Sequence, residues 1–131
     1  MSETTRRNIA GHSPYESKVG FSRVVVVGDR ALCAGTVAID ESGLSVAPGD
    51  AGAQARYIFE MLLGKLGQAG FGPESVVRTR TFITDGDDED AVAAAHAEAL
   101  PGVMPAATMV VIAGLVRPEL RVEIEVEAQK G

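Results

Sequence analysis

The chain has 131 residues, a formal net charge of -6 and one cysteine, Cys33. That length accommodates a single core of ordinary size. The acidic balance, with no basic cluster beyond Arg6-Arg7, argues against a surface that tracks phosphates, so nucleic acid is not an expected partner.

Residues 1–20 carry Arg6, Arg7, Gly11, Pro14 and Gly20 with no hydrophobic period and read as a tail and loop over the body, which spans residues 21–131. The β-rich runs Arg23 to Val27 and Ala31 to Ile39 meet at Gly28-Asp29-Arg30, a hairpin turn with a residue that tolerates positive φ. Asp50 then stands as N-cap of a helix carrying Ile58, Met61, Leu62 and Leu66 at helical spacing, with Gly70 closing it. Val76 to Thr84 reads as a strand. Asp87-Asp88-Glu89-Asp90 places acid at the positive end of an Ala-rich helix, and Pro101-Gly102 stops it.

Two strands close the chain. In the first, Ala107, Met109, Val111 and Ala113 alternate with Thr108, Val110 and Ile112, so both faces are apolar and both are expected to be buried. In the second, Val122, Ile124 and Val126 point one way and Arg121, Glu123, Glu125 and Glu127 the other. This order predicts an α+β domain with two helices on one face of a mixed sheet. The other face, apolar along Val24 to Val27 and Thr108 to Ile112, calls for a second copy of the chain to cover it.

Cys33 lies in a strand among apolar residues, where a small buried hydrophobe is its simplest role. A lone cysteine forms no internal disulfide framework, so a reducing compartment is expected. No apolar run is long enough for a secretory signal or a membrane span, and a cytoplasmic protein without a membrane partner is the reading. His12 has no neighbour at metal-ligand spacing, and Gly64 to Gly72 lacks the spacing of a phosphate loop; neither metal nor cofactor is expected.

Gly20-Phe21-Ser22-Arg23-Val24, Cys33-Ala34-Gly35-Thr36, Asp50 with Gln54, Val76-Val77-Arg78-Thr79, Thr84-Asp85, Pro105-Ala106-Ala107-Thr108 and Val122-Glu123-Ile124-Glu125 resemble, in order and spacing, the Rid superfamily of YjgF or reactive intermediate deaminase proteins, also labelled L-PSP endoribonucleases. The resemblance implies a chorismate-mutase-like fold, a homotrimer whose open sheet faces form a central barrel, and a small-molecule site in each cleft between subunits. It implies hydrolysis of imine and enamine intermediates without a cofactor. An Arg of the Pro-Ala-Arg-Ser/Thr motif would bind the substrate carboxylate, and a Glu of the last strand would position water.

The Arg position is Ala107, whose methyl group offers no paired donors. Phe21 stands where archetypal members have a Tyr, Ala34 where they have a Ser, and Ala93 where they often have an Asn; Glu123 matches. The candidate site is therefore Glu123 as the catalytic carboxylate, with Phe21, Ala34, Gly35, Ala107, Thr108 and Met109 binding substrate. Apolar neighbours such as Phe21 and Met109 would raise the pKa of Glu123. Backbone amides near Gly35 and Thr108 would hold an oxygen. Glu125 and Glu127 read as structural partners of Arg78, Arg80 or Arg121, and His96 as a helix-face residue rather than a base. Three functions follow: hydrolysis of a small imine or enamine, non-catalytic binding of a small ligand or partner by a trimer, and, least supported by the charge balance, endoribonuclease activity.

Overall fold

The computed structural model describes residues 5–131. Its elements run β1 (Arg6–Ile9), α1 (Pro14–Val19), β2 (Val24–Val27), β3 (Arg30–Thr36), α2 (Ala51–Gln68), β4 (Val76–Ile83), α3 (Glu89–Ala99), β5 (Ala106–Val111) and β6 (Val122–Gln129). The strands form one sheet in the order β1-β2-β3-β6-β4-β5. Only β4 and β5 run parallel, because α3 carries the chain back over the sheet between them.

Local chemistry sets the helix ends where the sequence places them. The Asp50 carboxylate accepts from the Ala53 amide at 3.1 Å, and Gly70 takes φ +94° just beyond α2. Ile58, Leu62 and Leu66 form the buried stripe of α2, and Val92 and Ala95 that of α3. Both stripes join Val24, Val26, Ala31, Val122, Ile124 and Val126 in one core. The expected α+β architecture, with two helices on one face of a mixed sheet, is the one observed.

Gln54 ties this core to the loop before β6. Its amide donates to the carbonyls of Ala47 at 3.0 Å and Glu119 at 2.9 Å, while its oxygen accepts from the Arg121 amide at 2.8 Å. Replacing it with leucine would leave the Arg121 amide without its acceptor and take from the Ala47 and Glu119 carbonyls one of their two donors, the other being the Asp50 and Gly49 amides. We expect Gln54→Leu to cost about 2–3 kcal/mol, measured as a shift in the urea midpoint; a loss below about 0.5 kcal/mol would mean water replaces the side chain.

The leader differs from expectation. Beyond residues 1–4, which lie outside the described region, it is not a tail and loop. β1 pairs antiparallel with β2, and Ser13, Pro14 and Glu16 build a capping box that starts α1. The absence of a hydrophobic period reflects an edge strand and a one-and-a-half-turn helix, too short to bury a stripe.

β5 also departs from its reading. Within one chain it is an edge strand, and only Met109 is half-buried while Ala106, Ala107, Thr108, Val110 and Val111 are exposed. Its register with β4 and β6 sets Ala107, Met109 and Val111 on the helix-bearing side and Thr108 and Val110 on the open side. Among the described residues no helix is long and apolar enough to cross a membrane.

Candidate functional site

The sheet register separates Glu123 from the other acids of β6. On the open face Arg78 stands opposite Glu127, Arg80 opposite Glu125 and Phe82 opposite Glu123. Glu127 is bonded by Arg30 at 2.7 Å, Arg78 at 3.2 Å and Arg80 at 3.3 Å, and Glu125 by Arg80 at 3.3 Å. These are the cross-strand pairs expected of structural acids. Arg121 belongs elsewhere: it reaches Asp88 at 2.8 Å and Asp85 at 3.5 Å. Arg78 and Arg80 are thus committed to ion pairs on the face opposite Ala107.

Glu123 has an aromatic ring where its neighbours have guanidinium groups. On its other side Gly35 sits in the irregular β3–β6 register between Cys33 and Thr36. A Cβ at Gly35 would lie 2.8 Å from Glu123 Oε2 and 3.1 Å from its Cδ, so the missing side chain makes room for the carboxylate. Burial and the nearby charge of Glu125 raise the Glu123 pKa above its ordinary 4.5, while Arg23 opposes the shift.

Arg23, read only as the first residue of a strand, holds this geometry. It is buried, and Nη1 donates to the Gly35 carbonyl and to Thr36 Oγ1, each at 2.8 Å. Nη2 reaches Glu16 Oε2 at 3.4 Å, and the guanidinium stacks 5.2 Å from the Phe21 ring centre. Glu16 in turn accepts from the Gly11 and Ser13 amides at 2.7 and 3.2 Å. Through Arg23 the α1 capping box is connected to the backbone against which Glu123 rests.

Phe21, Gly35 and Glu123 line a mainly apolar cavity of about 230 Å³ with His12, Tyr15, Thr36, Ile39, Met61 and Val116. His12 is a wall residue, its Nε2 donating to the Ile39 carbonyl at 2.7 Å. The sequence reading missed the contribution of the leader, and the signal that could have found it is Ser13-Pro14-x-Glu16, a capping box with Pro at N1. Ala34, half-buried in β3, precedes Gly35 and is not part of this wall.

Ala107, Thr108 and Met109 line a second cavity, also about 230 Å³, with Thr79, Thr81, Ala93 and His96. Within one chain Met109 therefore does not reach Glu123: it projects to the helix-bearing side, Glu123 to the other. His96 lies on α3 and is half-buried; its Nε2 lies 2.8 Å from Thr79 Oγ1, and its ring meets Phe59 edge-on. Burial lowers its pKa below 6.5.

Cys33 is buried and its thiol is pushed up to about 12 by burial, so it packs rather than reacts. Among the described residues no three His, Cys, Asp or Glu side chains are grouped to hold a metal ion.

Residues 11–130 match the family profile described as Endoribonuclease L-PSP. The chain belongs to this family, within the Rid superfamily of YjgF-type proteins. An uncharacterised protein of Streptomyces coelicolor is 38% identical over 130 residues, covering 99% of this chain and 96% of that protein. The 3-aminoacrylate deaminase RutC of Acinetobacter baylyi is 34% identical over 112 residues, 86% of this chain and 83% of the deaminase. A crystal structure from the YjgF/YER057c/UK114 family of Mycobacterium tuberculosis aligns with a TM-score of 0.85 at 35% identity, over 96% of this chain and 100% of that one.

In this Rid protein the residues of the two closing strands that resemble the family motifs face two different cavities. Pro105-Ala106-Ala107-Thr108 opens β5 beside the His96 cavity, whereas Glu123 and Gly35 face the cavity under α1. One chain brings Phe21, Gly35 and Glu123 together and leaves Ala107, Thr108 and Met109 apart from them.

Proposed function

We propose that this Rid-family chain is a homotrimeric hydrolase that opens a small imine or enamine in clefts between subunits, with Glu123 orienting and deprotonating the attacking water. The observation that carries the reading is Glu123 itself: a half-buried carboxylate with raised pKa and no ion-pair partner among the described residues, fitted against Gly35 at the edge of an apolar cavity. Kinship with RutC, named as a 3-aminoacrylate deaminase, supports the reaction class.

Water adds to the C=N carbon while one of its protons passes to Glu123 and from there to the nitrogen, forming a neutral carbinolamine. Glu123 then takes the proton of the new hydroxyl and delivers it to the nitrogen as the C=O bond forms and the C–N bond breaks, and carbonyl compound and amine or ammonia leave. Atoms balance with water as the only co-reactant, so the step calls for no cofactor. Backbone amides near Gly35 of one copy and Thr108 of its neighbour would hold the oxygen that forms. Ala107 gives a carboxylate no paired donors, so recognition of a 2-iminoacid through an arginine is not part of this reading.

A second copy against the open face would cover Leu32 and Val110, both exposed in the single chain, and would bring the Glu123 cavity of one copy toward the Ala107 cavity of its neighbour. The trimer should sediment at three times 13.6 kDa. The test of function is a panel of imines generated in place by amine and amino-acid oxidases, followed by release of carbonyl product. Acceleration of any panel member supports the reading, and none across the panel overturns it. The apolar lining also favours a second reading, a trimer that binds a small ligand without turnover; native mass spectrometry showing retained ligand with no hydrolysis would select it.

Gly35 provides a further check. Gly35→Ala is expected to cost only about 1 kcal/mol of stability, since the flexible end of Glu123 can swing aside. Turnover should nevertheless fall up to about 100-fold, because the displaced carboxylate misses the water. Unchanged kcat would mean that Glu123 is not the positioned base.

A further inference from the structure

The second cavity contains a polar pair that the chemistry of Glu123 leaves unused. His96 comes from α3 and Thr79 from β4, and their side chains meet at 2.8 Å, the only hydrogen bond the ring makes among the described residues. The edge of the ring packs on Phe59 with centroids 5.5 Å apart at 86°. One hydrogen bond and one aromatic contact fix the plane of the imidazole, so its orientation does not have to be set by an incoming ligand.

The surroundings define what such a group could bind. Ala93, Ala107 and Met109 give an apolar wall, and among the described residues no lysine or arginine lines the cavity. Residue 107 contributes only a methyl group to this lining. A carboxylate entering the cavity would lose water without gaining a cation or a paired donor. An uncharged carbonyl or imine loses less and needs only one hydrogen bond. Burial keeps His96 neutral near pH 7, consistent with such a partner.

We infer that this cavity is a ligand pocket in which His96 hydrogen-bonds the uncharged polar end of a small molecule, with Thr79 as the residue that positions the ring. The inference rests on the proposal that the cleft takes a small molecule, and it does not require catalysis by Glu123. It directs the search for a substrate to imines, enamines and amides that carry no carboxylate beside the reacting group.

Isobutyramide and isobutyrate are matched in shape and differ in charge, which makes them suitable probes at pH 7.5. Titrated into isotopically labelled protein, isobutyramide should shift the His96 ring and Ala107 methyl NMR signals saturably, and isobutyrate should bind at least about 10-fold more weakly. His96→Phe keeps an aromatic ring on Phe59 and should abolish the response at Ala107. Thr79→Val keeps the side-chain shape and should weaken binding several-fold while His96 still responds. The absence of a saturable shift, equal binding of isobutyrate, or unchanged affinity in both variants would overturn the inference. Hydrolysis of the imine panel without any response at His96 would overturn it alone. Saturable binding at His96 without hydrolysis would support it and overturn only the catalytic reading.

Discussion

Substitution of Glu123 by glutamine is expected to slow imine hydrolysis by roughly 10²–10⁴-fold, the range supplied by a positioned acid-base group. Glutamine preserves the shape against Gly35 but cannot take a proton, so the loss should appear in kcat with the fold intact. The pH profile gives an independent reading. A base works when ionised, and burial together with Glu125 holds the Glu123 pKa above 4.5; the acid limb of kcat/KM should therefore lie above that value. Glu125→Gln removes a like charge and should move the limb down. Arg23 opposes the shift, so its loss should move the limb up.

Stability should change with pH in the matching direction. The folded chain holds the Glu123 proton to a higher pH than the unfolded chain does. The stabilisation is therefore present below 4.5 and is lost as pH rises through the elevated folded value. Glu123→Gln should flatten that part of the curve. A variant with wild-type turnover, or an acid limb unmoved by both neighbouring substitutions, would remove Glu123 from the mechanism.

The largest stability effect is expected from Arg23→Ala, at about 3–5 kcal/mol, the cost of breaking a buried pair on one side. The guanidinium is a buried partner of Glu16, the Gly35 carbonyl and Thr36 Oγ1, and truncation leaves all three facing a hole. Since a domain of this size has only about 5–15 kcal/mol in total, urea denaturation should show a large drop in midpoint. Glu16→Gln in the same chain removes the orphaned charge while keeping an acceptor for the Gly11 or Ser13 amide, and should recover part of the loss. A double variant no better than Arg23→Ala would show that the bonds to Gly35 and Thr36, not the ion pair, carry the effect. A single-variant cost below about 1 kcal/mol would mean that water fills the site.

Much of the fold was legible from periodicity and punctuation. The cap at Asp50, the stop at Gly70, the hairpin turn at Gly28 and the alternation of β6 are local features, and the elements fall where local chemistry places them. The leader was not legible because an edge strand and a very short helix bury too little to leave a hydrophobic period. β5 was read as buried on both faces because its side chains are apolar; its position at the sheet edge depends on the α3 crossover, a nonlocal fact. In the site, Phe21, Gly35 and Glu123 were identified together and share a cavity, whereas Met109 lies, within one chain, on the other side of the sheet. Period-two alternation gives relative faces within a strand, but not which face of one strand joins which face of another.

The sequence by itself determined that Val122, Ile124 and Val126 enter a core and that a row of acids lies opposite, since alternation along a strand is a property of the backbone. It also determined that residue 107 offers a methyl group and no charge. Only the tertiary structure decided which acid is free. The antiparallel register of β4 against β6 sets Arg78 and Arg80 beside Glu127 and Glu125, and Phe82 beside Glu123. A shift of two residues would keep every face and neutralise a different carboxylate. The same register, with α3 packed above it, brings Thr79 to His96 and Ala107. Such pairings arise between elements distant in the chain, through the packing of the whole sheet.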